Sequence, residues 1–329
     1  MSGDLERLKH RIPLLEYLQR HHWSGRPAGA HFEFVGLCPL HADTHASFYV
    51  NPRKNLFYCH GCGQGGDLIR FVQLSQHLSF RQSITLLQEE LAPTAELLRH
   101  SAPFYQLELH RFPEGVQYLA ERGVRDSALI EELGIGYARG GTLRAHLQAL
   151  GYSLEQLLEA GLIGAQGHDS FSRRVIFPCR QQDRVVNLYG RSITTAFPHR
   201  LLPRSKGGLF GWHTVRQFPE VILVEVLFDV AVLWQQGFRN TTCAIGTHFT
   251  PLQFAQICDR RDRAVAIAFD HDDNQAGQKA AQNLGRRLHQ AGLTVRIVHL
   301  PSGQDPNSFF AAGATANDFT FCLEHAESL

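Results

Sequence analysis

Three apolar runs between Val221 and Ser308 decide the fold: Val221-Ile-Leu-Val-Glu225, Ala264-Val-Ala-Ile-Ala-Phe-Asp270 and Leu293-Thr-Val-Arg-Ile-Val-His-Leu300. Segments with helical periodicity separate and flank these runs. They lie at 228–236, 251–259 and 275–290. Because strands and helices alternate here, the sequence predicts an α/β domain whose parallel sheet is covered on both faces.

Carboxylates follow the strands of this predicted sheet. Glu225 ends the first run, Asp270 and Asp272 follow the second, and Asp305 follows the third. Groups at the carboxyl ends of parallel strands converge on one crevice. Four acids at one edge would repel each other unless divalent cations lay among them, so we predict a metal-dependent phosphate site.

Length and composition limit the class of protein. A chain of 329 residues with 43% hydrophobic content suits two or three domains with sizeable cores. We predict three domains, at residues 1–100, 101–217 and 218–329, with α+β character in the first two. The first residues do not resemble a signal peptide, and no apolar run is long enough to span a bilayer, so we expect a cytoplasmic protein without a membrane partner.

The sharpest local motif is Cys38-Pro-Leu-His41, followed after 17 residues by Cys59-His-Gly-Cys62. Three thiolates and one imidazole on two turn-borne pairs are typical of a tetrahedral zinc ribbon. We therefore predict a structural zinc ion bound by Cys38, His41, Cys59 and Cys62, with no open position for catalysis. Reduced cysteines at this spacing also fit a cytoplasmic setting better than a disulfide framework does.

The predicted ribbon carries aromatic and basic side chains in alternation, which are Phe48, Tyr49, Arg53, Lys54, Phe57 and Tyr58. Aromatic rings beside cations bind single-stranded nucleic acid without reading its sequence. Each ring alone is as well explained by packing against the following helix. The group as a whole favours nucleic-acid binding.

A second basic region precedes the acidic sheet edge, although the net charge of the chain is only +1. Nine Arg and Lys side chains and one acid lie between Ser170 and Gln217. Arginine pairs with phosphate oxygens through two hydrogen bonds, so we expect a triphosphate to lie between this basic region and the acidic edge. An ordinary solvated face is the alternative.

Between the ribbon and the basic region, the sequence predicts a helix at Phe80–Leu91 and short helices near 115–122 and 126–133. The stretch from Ala92 to Pro113 has weak patterning and further prolines. It is predicted to be an inter-domain linker with partial helicity.

Taken together, the motifs resemble those of bacterial DnaG-type primases. The zinc-ribbon domain of that family resembles Cys38 to Asp67 here, including Ser47-Phe48. The family's N-terminal polymerase subdomain resembles Tyr118-Leu-Ala-Glu-Arg-Gly123, Leu133-Gly-Ile-Gly-Tyr137, Arg174-Val-Ile-Phe-Pro178 and Tyr189-Gly-Arg191. Its Toprim domain resembles Glu225 with Asp229, Gly246-Thr247, Asp270-His-Asp272 with Ala276-Gly277, and Asp305-Pro306.

The resemblance implies a DNA primase that makes short RNA or mixed primers on single-stranded DNA from nucleoside triphosphates by two-metal nucleotidyl transfer. It implies that Glu225 is a metal ligand or general base, that Asp229 is a second acid behind it, and that Asp270, Asp272 and Asp305 bind Mg²⁺ or Mn²⁺. It also implies nucleotide or template binding by Arg173, Arg174, Arg191, Arg200, Arg204 and Lys206.

Three positions depart from the family pattern. Val226 and His271 replace glycines, and Asn307 replaces an acid. The chain after Leu300 is also short for this family, which suggests either a mobile-element or phage-type primase or one that is served by a separate replicative helicase. The departures motivate an alternative, a primase-like protein that binds single strands and recruits a partner without catalysis; a Toprim nuclease is a third reading.

Overall fold

The computed structural model describes residues 5, 8–9, 12–21, 23–28, 33–91, 93–181, 184–194, 198–270 and 276–329. The chain divides into two compact units, Met1–Ala95 and Glu96–Leu329. None of the helices described in these ranges has both the length and the apolar character needed to cross a membrane.

Unit one is built on a five-stranded antiparallel sheet, with its strands in sequential order. Its elements are α1 (Leu14–Arg20), β1 (Gly25–Ala28), β2 (Glu33–Gly36), β3 (Phe48–Asn51), β4 (Leu56–Cys59), β5 (Gly65–Gly66), α2 (Leu68–Gln76) and α3 (Phe80–Leu91). Alternation in β3 and β4 buries Phe48 and Phe57, whose rings stack 5.1 Å apart, and leaves Tyr58 exposed. The helices cover the buried face, because Phe71 of α2 packs edge-on against both rings.

Unit two begins with helices and a four-stranded antiparallel sheet in the order β6-β7-β8-β9. These elements are α4 (Pro93–Arg111), α5 (Pro113–Glu121), α6 (Ser127–Leu133), β6 (Gly136–Ala138), α7 (Leu143–Ala149), α8 (Leu154–Glu159), β7 (Arg174–Gln181), β8 (Arg184–Ser192), β9 (Arg200–Leu201) and α9 (Trp212–Val215).

The rest of unit two is the α/β part that the apolar runs predict. It comprises β10 (Glu220–Val224), α10 (Leu227–Gln235), β11 (Thr241–Cys243), α11 (Pro251–Ile257), β12 (Ala264–Ile267), α12 (Ala276–Gln290), β13 (Thr294–Ile297), α13 (Pro306–Ala311), α14 (Ala316–Glu324) and β14 (Glu327–Ser328). Strands β11, β10, β12 and β13 are parallel in that order, and β14 adds an antiparallel edge. The predicted fold class, α/β with α+β N-terminal parts, is confirmed.

One hydrophobic core joins the antiparallel and parallel parts of unit two. The rings of Phe177 on β7 and Phe228 on α10 meet at 5.1 Å. All of Leu227 to Trp234 is buried, since α10 lies between the parallel sheet and the helices α6 and α13. The start of α10, which directly follows Glu225, is therefore fixed from several sides.

The predicted linker contains the 19-residue helix α4, Pro93–Arg111. Its core-facing side consists of Leu97, Leu98, Ala102, Tyr105 and Leu109, all buried. Their spacing follows the helical period, but Pro103 and the polar residues between them weaken the pattern in the sequence.

Candidate active site and zinc centre

The zinc centre lies between the β2–β3 connection and the β4–β5 turn. One ligand atom from each of Cys38, His41, Cys59 and Cys62 lies within 4.8 Å of the others. In the described ranges this is the only group of three or more Cys, His, Asp or Glu side chains close enough to share an ion. Three sulfur atoms and one imidazole at this separation fit a tetrahedral zinc ion with a structural role.

Asp43 and Ser47 support the zinc ligands, a role that the spacing argument missed for both. Asp43 Oδ2 accepts from the Cys38 N–H at 2.9 Å and from the Ser47 hydroxyl at 2.7 Å, and the Ser47 hydroxyl lies 3.3 Å from Cys59 Sγ. The Ser47 hydroxyl is the main reason that the pKa of Asp43 falls to about 2. Such groups around the ligands orient them for the metal. A carboxylate five residues after the first cysteine was the available signal.

The face of β3 and β4 that points away from the core of unit one is aromatic. Tyr49 and Tyr58 are cross-strand partners in β3 and β4, and their rings lie 5.3 and 4.9 Å from the His60 ring. Tyr58 is 48% exposed, and Gly65, opposite it on β5, leaves its ring uncovered by a neighbouring side chain. The predicted aromatic group thus divides, with Phe48 and Phe57 in the core and the two tyrosines outside.

Glu225 and Asp270 lie at the carboxyl edge of the parallel sheet, beside the start of α12. A Cβ on Gly277 would overlap the carbonyl oxygen of Asp270 and approach Glu225 Oε1 to 3.0 Å. Only glycine at this position lets the helix come so close to both acids. The carbonyl of Glu225 accepts from the Gly246 N–H at 2.9 Å, which joins the loop after β11 to the same edge.

Val226 fits this edge without strain. Its φ is −126°, in the extended region open to any residue, so the backbone does not require the glycine of the family pattern. The replacement of glycine by Val226 therefore does not conflict with the backbone dihedral angles at this position.

Asp229 lies one turn into α10, fully buried behind Glu225. Its carboxylate accepts from the backbone N–H groups of Asn307, at 3.1 Å, and Val226, at 3.4 Å. Burial raises the pKa of Asp229 well above its usual range, and the charges of Asp305 and Asp270 raise it further. The carboxyl groups of Asp229, Asp270 and Asp305 thus lie close enough to disfavour each other's charge, and burial favours the neutral form of Asp229.

Asp305 begins α13, where its Oδ1 accepts from the Ser308 N–H at 2.6 Å. Asn307 is buried, and its side-chain amide donates to the carbonyl of Arg122 at the end of α5. The polar end of Asn307 is therefore used in a contact between α13 and α5. Asp272 and His271 lie outside the described residues.

The six predicted nucleotide- or template-binding residues fall into three pairs, and the first pair lies beside the acid-bearing elements. Arg191 donates to the Tyr118 hydroxyl at 3.4 Å, and the Tyr118 ring packs edge-on against Phe228 of α10. Lys206 Nζ donates to the carbonyl of Ile245 at 2.8 Å, just before Gly246. Burial lowers the pKa of Lys206.

The other pairs also lie in unit two, and Arg174 and Arg200 adjoin Arg191 in the antiparallel sheet. Arg173 and Arg200 are exposed, on the turn before β7 and on β9. Arg174 and Arg204 donate to backbone carbonyls, Arg174 to Ser172 at 2.8 Å and Arg204 to Ala160 at 3.2 Å. These last two side chains connect segments of the chain to each other.

Arg122 is a cation near the acidic edge to which the sequence assigned no role. Its guanidinium lies 5.4 Å from the centre of the Phe228 ring. Burial lowers the pKa of His199, and the charges of Arg191, Arg122 and Arg174 lower it further, so these cations share one region. Its position in Tyr118-Leu-Ala-Glu-Arg-Gly123, one of the motifs that carry the resemblance, was the signal available.

Comparisons with known proteins agree with this arrangement. Family models match the CHC2 zinc finger at residues 4–101, the N-terminal domain of the DNA primase catalytic core at 104–208, and a Toprim-like domain at 222–310. The DNA primase of Aquifex aeolicus is 30% identical over an alignment that covers 94% of this chain and 66% of that protein. A Staphylococcus aureus DNA primase is 29% identical, over 87% of this chain and 53% of the relative.

The chain is thus shorter than these relatives, spanning 66% and 53% of their lengths. A crystal structure of the Aquifex aeolicus primase, comprising its zinc-binding and RNA polymerase domains, matches with a TM-score of 0.62 at 28% identity. That match covers 100% of this chain and 87% of the solved one. Because three family models follow each other along the chain and a primase structure covers its whole length, the chain belongs to the DnaG-type bacterial primase family.

Proposed function

We propose that this chain is a DNA primase, which makes short RNA or mixed primers on single-stranded DNA by nucleotidyl transfer. The observation that carries the proposal is the meeting of Glu225 and Asp270 beside Gly277 at the carboxyl edge of the parallel sheet. The zinc ribbon with an exposed aromatic face supports the same function, because a primase must hold a single strand near its polymerase site.

The acidic edge suits a hard divalent cation, for which we propose Mg²⁺ or Mn²⁺. Carboxylate oxygens are the ligands that these ions prefer, and the pKa of Asp229 is raised first by burial and then by the negative charges of Asp305 and Asp270. We propose that Glu225, Asp270 and Asp305 are ligands divided between two ions, since among the described residues no three acids at this edge lie close enough to share one, with Asp272 added from the sequence alone. When bound, the ions would lower the pKa of a primer-end hydroxyl and neutralise a leaving pyrophosphate.

The protein groups have distinct roles in this proposal. Glu225 is half-buried at the carboxyl edge of the parallel sheet, and it would bind metal or accept the proton of the attacking hydroxyl. Asp229 is enclosed behind it, where burial favours its neutral form, and would ionise only when cations occupy the edge, without touching the substrate. The two backbone N–H groups bound to its carboxylate hold it in place.

The cations nearest the acidic edge would bind the triphosphate. We propose this role for Arg191, Lys206 and Arg122. Arg122 lies over Phe228 of α10, the helix that carries Asp229, and Arg191 reaches the same ring through Tyr118. Lys206 donates to the loop whose Gly246 binds the Glu225 carbonyl. We propose that the exposed Arg173 and Arg200 contact the template. Arg174 and Arg204, which bind backbone carbonyls, would position that surface.

Primer synthesis tests the proposal. The full chain is incubated with single-stranded DNA, labelled NTPs or dNTPs, and Mg²⁺ or Mn²⁺, and the parent is compared with Glu225→Gln. Glu220→Gln is the matched control, because Glu220 begins the strand that Glu225 follows and forms an ion pair with Arg296 at its other end. We expect primers from the parent and from Glu220→Gln, and none from Glu225→Gln.

A second candidate function is single-strand binding and recruitment without catalysis. The burial of Asn307 in a contact with Arg122 favours it, because the acid of the family pattern is missing from the edge. This function is indicated if neither the parent nor either variant makes primers under any of these conditions, while the parent and Glu225→Gln bind single-stranded DNA equally. A separate helicase partner stays a prediction from the sequence.

A further inference from the structure

A pocket of about 330 Å³ lies in unit one, between the N-terminal segment and the β3–β4 turn. The residues that matter for its chemistry are Lys9, Arg53, Lys54, Asn55, Leu56 and Asp67. None of them is a zinc ligand or belongs to the aromatic face formed by Tyr49, Tyr58 and His60. Its volume falls at the lower end of the range typical of small-molecule sites.

The described residues that line the pocket carry more positive than negative charge. Three cations and one carboxylate are among the described residues that line it. The carboxylate, Asp67, pairs with Lys9 at 3.0 Å. Arg53 and Lys54 are exposed side chains on the adjacent turn. The excess of cations attracts an anion, and an arginine beside a lysine suits a phosphate.

The walls of the pocket are held in place by Asn55. Its side chain accepts from the Leu14 N–H at 2.7 Å and donates to the Lys9 carbonyl at 3.1 Å. Its φ of +55° belongs to the left-handed region, which asparagine tolerates better than most residues and which closes the turn between β3 and β4. The cations therefore lie on a turn fixed to the N-terminal segment, and binding orders less of the chain.

The apolar wall joins the pocket to the aromatic face. Leu56 lines the pocket and is 42% exposed. Leu56 and Tyr58 are two residues apart on β4, so their side chains project from the same face of the sheet, about 7 Å apart along the strand. A single DNA strand with one base stacked on Tyr58 can therefore place a neighbouring phosphate over Leu56 and into the pocket.

We infer that this pocket binds a phosphate group. Arg53 and Lys54 are its main cations, and Lys9 contributes less because it is paired with Asp67. The inference rests on the proposed function, because the expected phosphate is a backbone phosphodiester of single-stranded DNA, next to a base that stacks on the aromatic face. A free nucleoside triphosphate carries the same chemistry and is the other source.

Equilibrium binding without a catalytic step tests the inference. Fluorescence anisotropy with an oligothymidylate lacking terminal phosphates is recorded for the zinc-loaded full chain and for Arg53→Ala and Lys54→Ala, over a series of salt concentrations. Arg81→Ala, an exposed arginine of α3 outside the pocket, is the matched control. Each pocket variant should bind several-fold more weakly and lower the slope of log K against log salt by about 0.7, whereas Arg81→Ala should change neither.

Asp67→Asn provides a test of opposite sign. Asparagine keeps the cap on the Arg70 N–H at the start of α2 but removes the carboxylate that pairs with Lys9. It should therefore tighten binding several-fold, an effect that loss of structure cannot imitate. Zinc content and thermal unfolding equal to the parent show that each variant is folded.

The source of the phosphate is identified by repeating the titrations with labelled ATP. Changes confined to the oligonucleotide assign the pocket to the strand backbone, and changes confined to ATP assign it to a nucleotide. If folded Arg53→Ala and Lys54→Ala bind both probes as the parent does, the inference is wrong. That result leaves primer synthesis untouched, and a chain that makes no primers can still show the pocket effects, so the two proposals fail separately.

Discussion

Asn307 shows how one side chain connects the acidic edge to the antiparallel part of unit two. Its backbone N–H holds Asp229 and its side-chain amide holds the carbonyl of Arg122. The sequence presents this residue only as a missing acid. In the structure, the amide is a donor facing an acceptor, a contact that an ionised carboxylate cannot make.

Asn307→Asp should therefore destabilise the protein. The aspartate would face the Arg122 carbonyl without a proton to donate and would stand near Asp229 and Asp305. We expect a loss of about 1–3 kcal/mol in the free energy of unfolding at pH 7, measured in urea. Asn317→Asp, at an exposed position in the first turn of α14, should change it by less than about 0.5 kcal/mol. A variant as stable as the parent that binds Mn²⁺ more tightly would instead mean that position 307 faces the metal.

Gly277 is the second residue whose role is visible only in three dimensions. Gly277→Ala should leave α12 helical but displace Asp270 and Glu225, because the added Cβ meets both. A shift of about 1 Å at reacting groups costs roughly 100-fold in rate. Initial rates of primer synthesis measure this effect, with Gln282→Ala, exposed in the same helix, as the control. A parental rate for Gly277→Ala would contradict the close approach of α12 to the acids.

Residues whose role is set by neighbours in sequence could be predicted, and others could not. The zinc ligands belong to two local pairs, so their spacing alone indicated the site. Arg122 and Asp43 act through partners fixed by the folded chain, so the motif around Arg122 and the position of Asp43 after Cys38 did not reveal their roles. The division of the predicted cations between the acidic edge and backbone carbonyls likewise depends on tertiary packing.

At the scale of elements, the ribbon is the part whose folding depends most on its metal. Strands β3 and β4 carry a small core, and the four ligands connect the β2–β3 connection to the β4–β5 turn. The binding of zinc supplies much of the folding free energy of such a ribbon.

Removal of zinc by a chelator should therefore expose the amides of β3 and β4 to hydrogen exchange while the strands of the parallel sheet stay protected. Exchange measured by mass spectrometry before chelation, after chelation and after zinc is restored gives the comparison. Cys59→Ser should behave like the chelated protein, whereas Cys322→Ser, in α14, should behave like the parent. Protection of β3 and β4 that survives the loss of zinc would show that their own core is sufficient.

The elements with strong periodicity were predicted best. Apolar runs gave β10 and β12 because strands buried on both faces are largely apolar, whereas β13 alternates, with Val295 and Ile297 buried and Thr294 exposed. Helix α4 was underestimated because tertiary burial of Leu97, Tyr105 and Leu109 stabilises it in spite of Pro103. The turn after α5 is also fixed from a distance, since the Gln235 side chain accepts from the Arg125 and Asp126 N–H groups at 2.7 and 2.9 Å.

At the scale of the whole molecule, a net charge of +1 conceals a separation of opposite charges. Acids collect at the end of the parallel sheet, and arginines collect on the antiparallel part that shares its core. The sequence indicated both groups. That they belong to one compact unit depends on contacts such as Phe177 with Phe228, which no local pattern specifies.

Anomalous scattering from crystals of the full chain grown with Mn²⁺ and a non-hydrolysable nucleoside triphosphate locates the cations. We expect manganese within about 2.3 Å of carboxylate oxygens of Glu225 and Asp270, with the triphosphate reaching toward Arg191 and Lys206. A zinc peak among Cys38, His41, Cys59 and Cys62 is the internal control. A map with the zinc peak but no manganese at the acidic edge would contradict metal-dependent nucleotidyl transfer at this site.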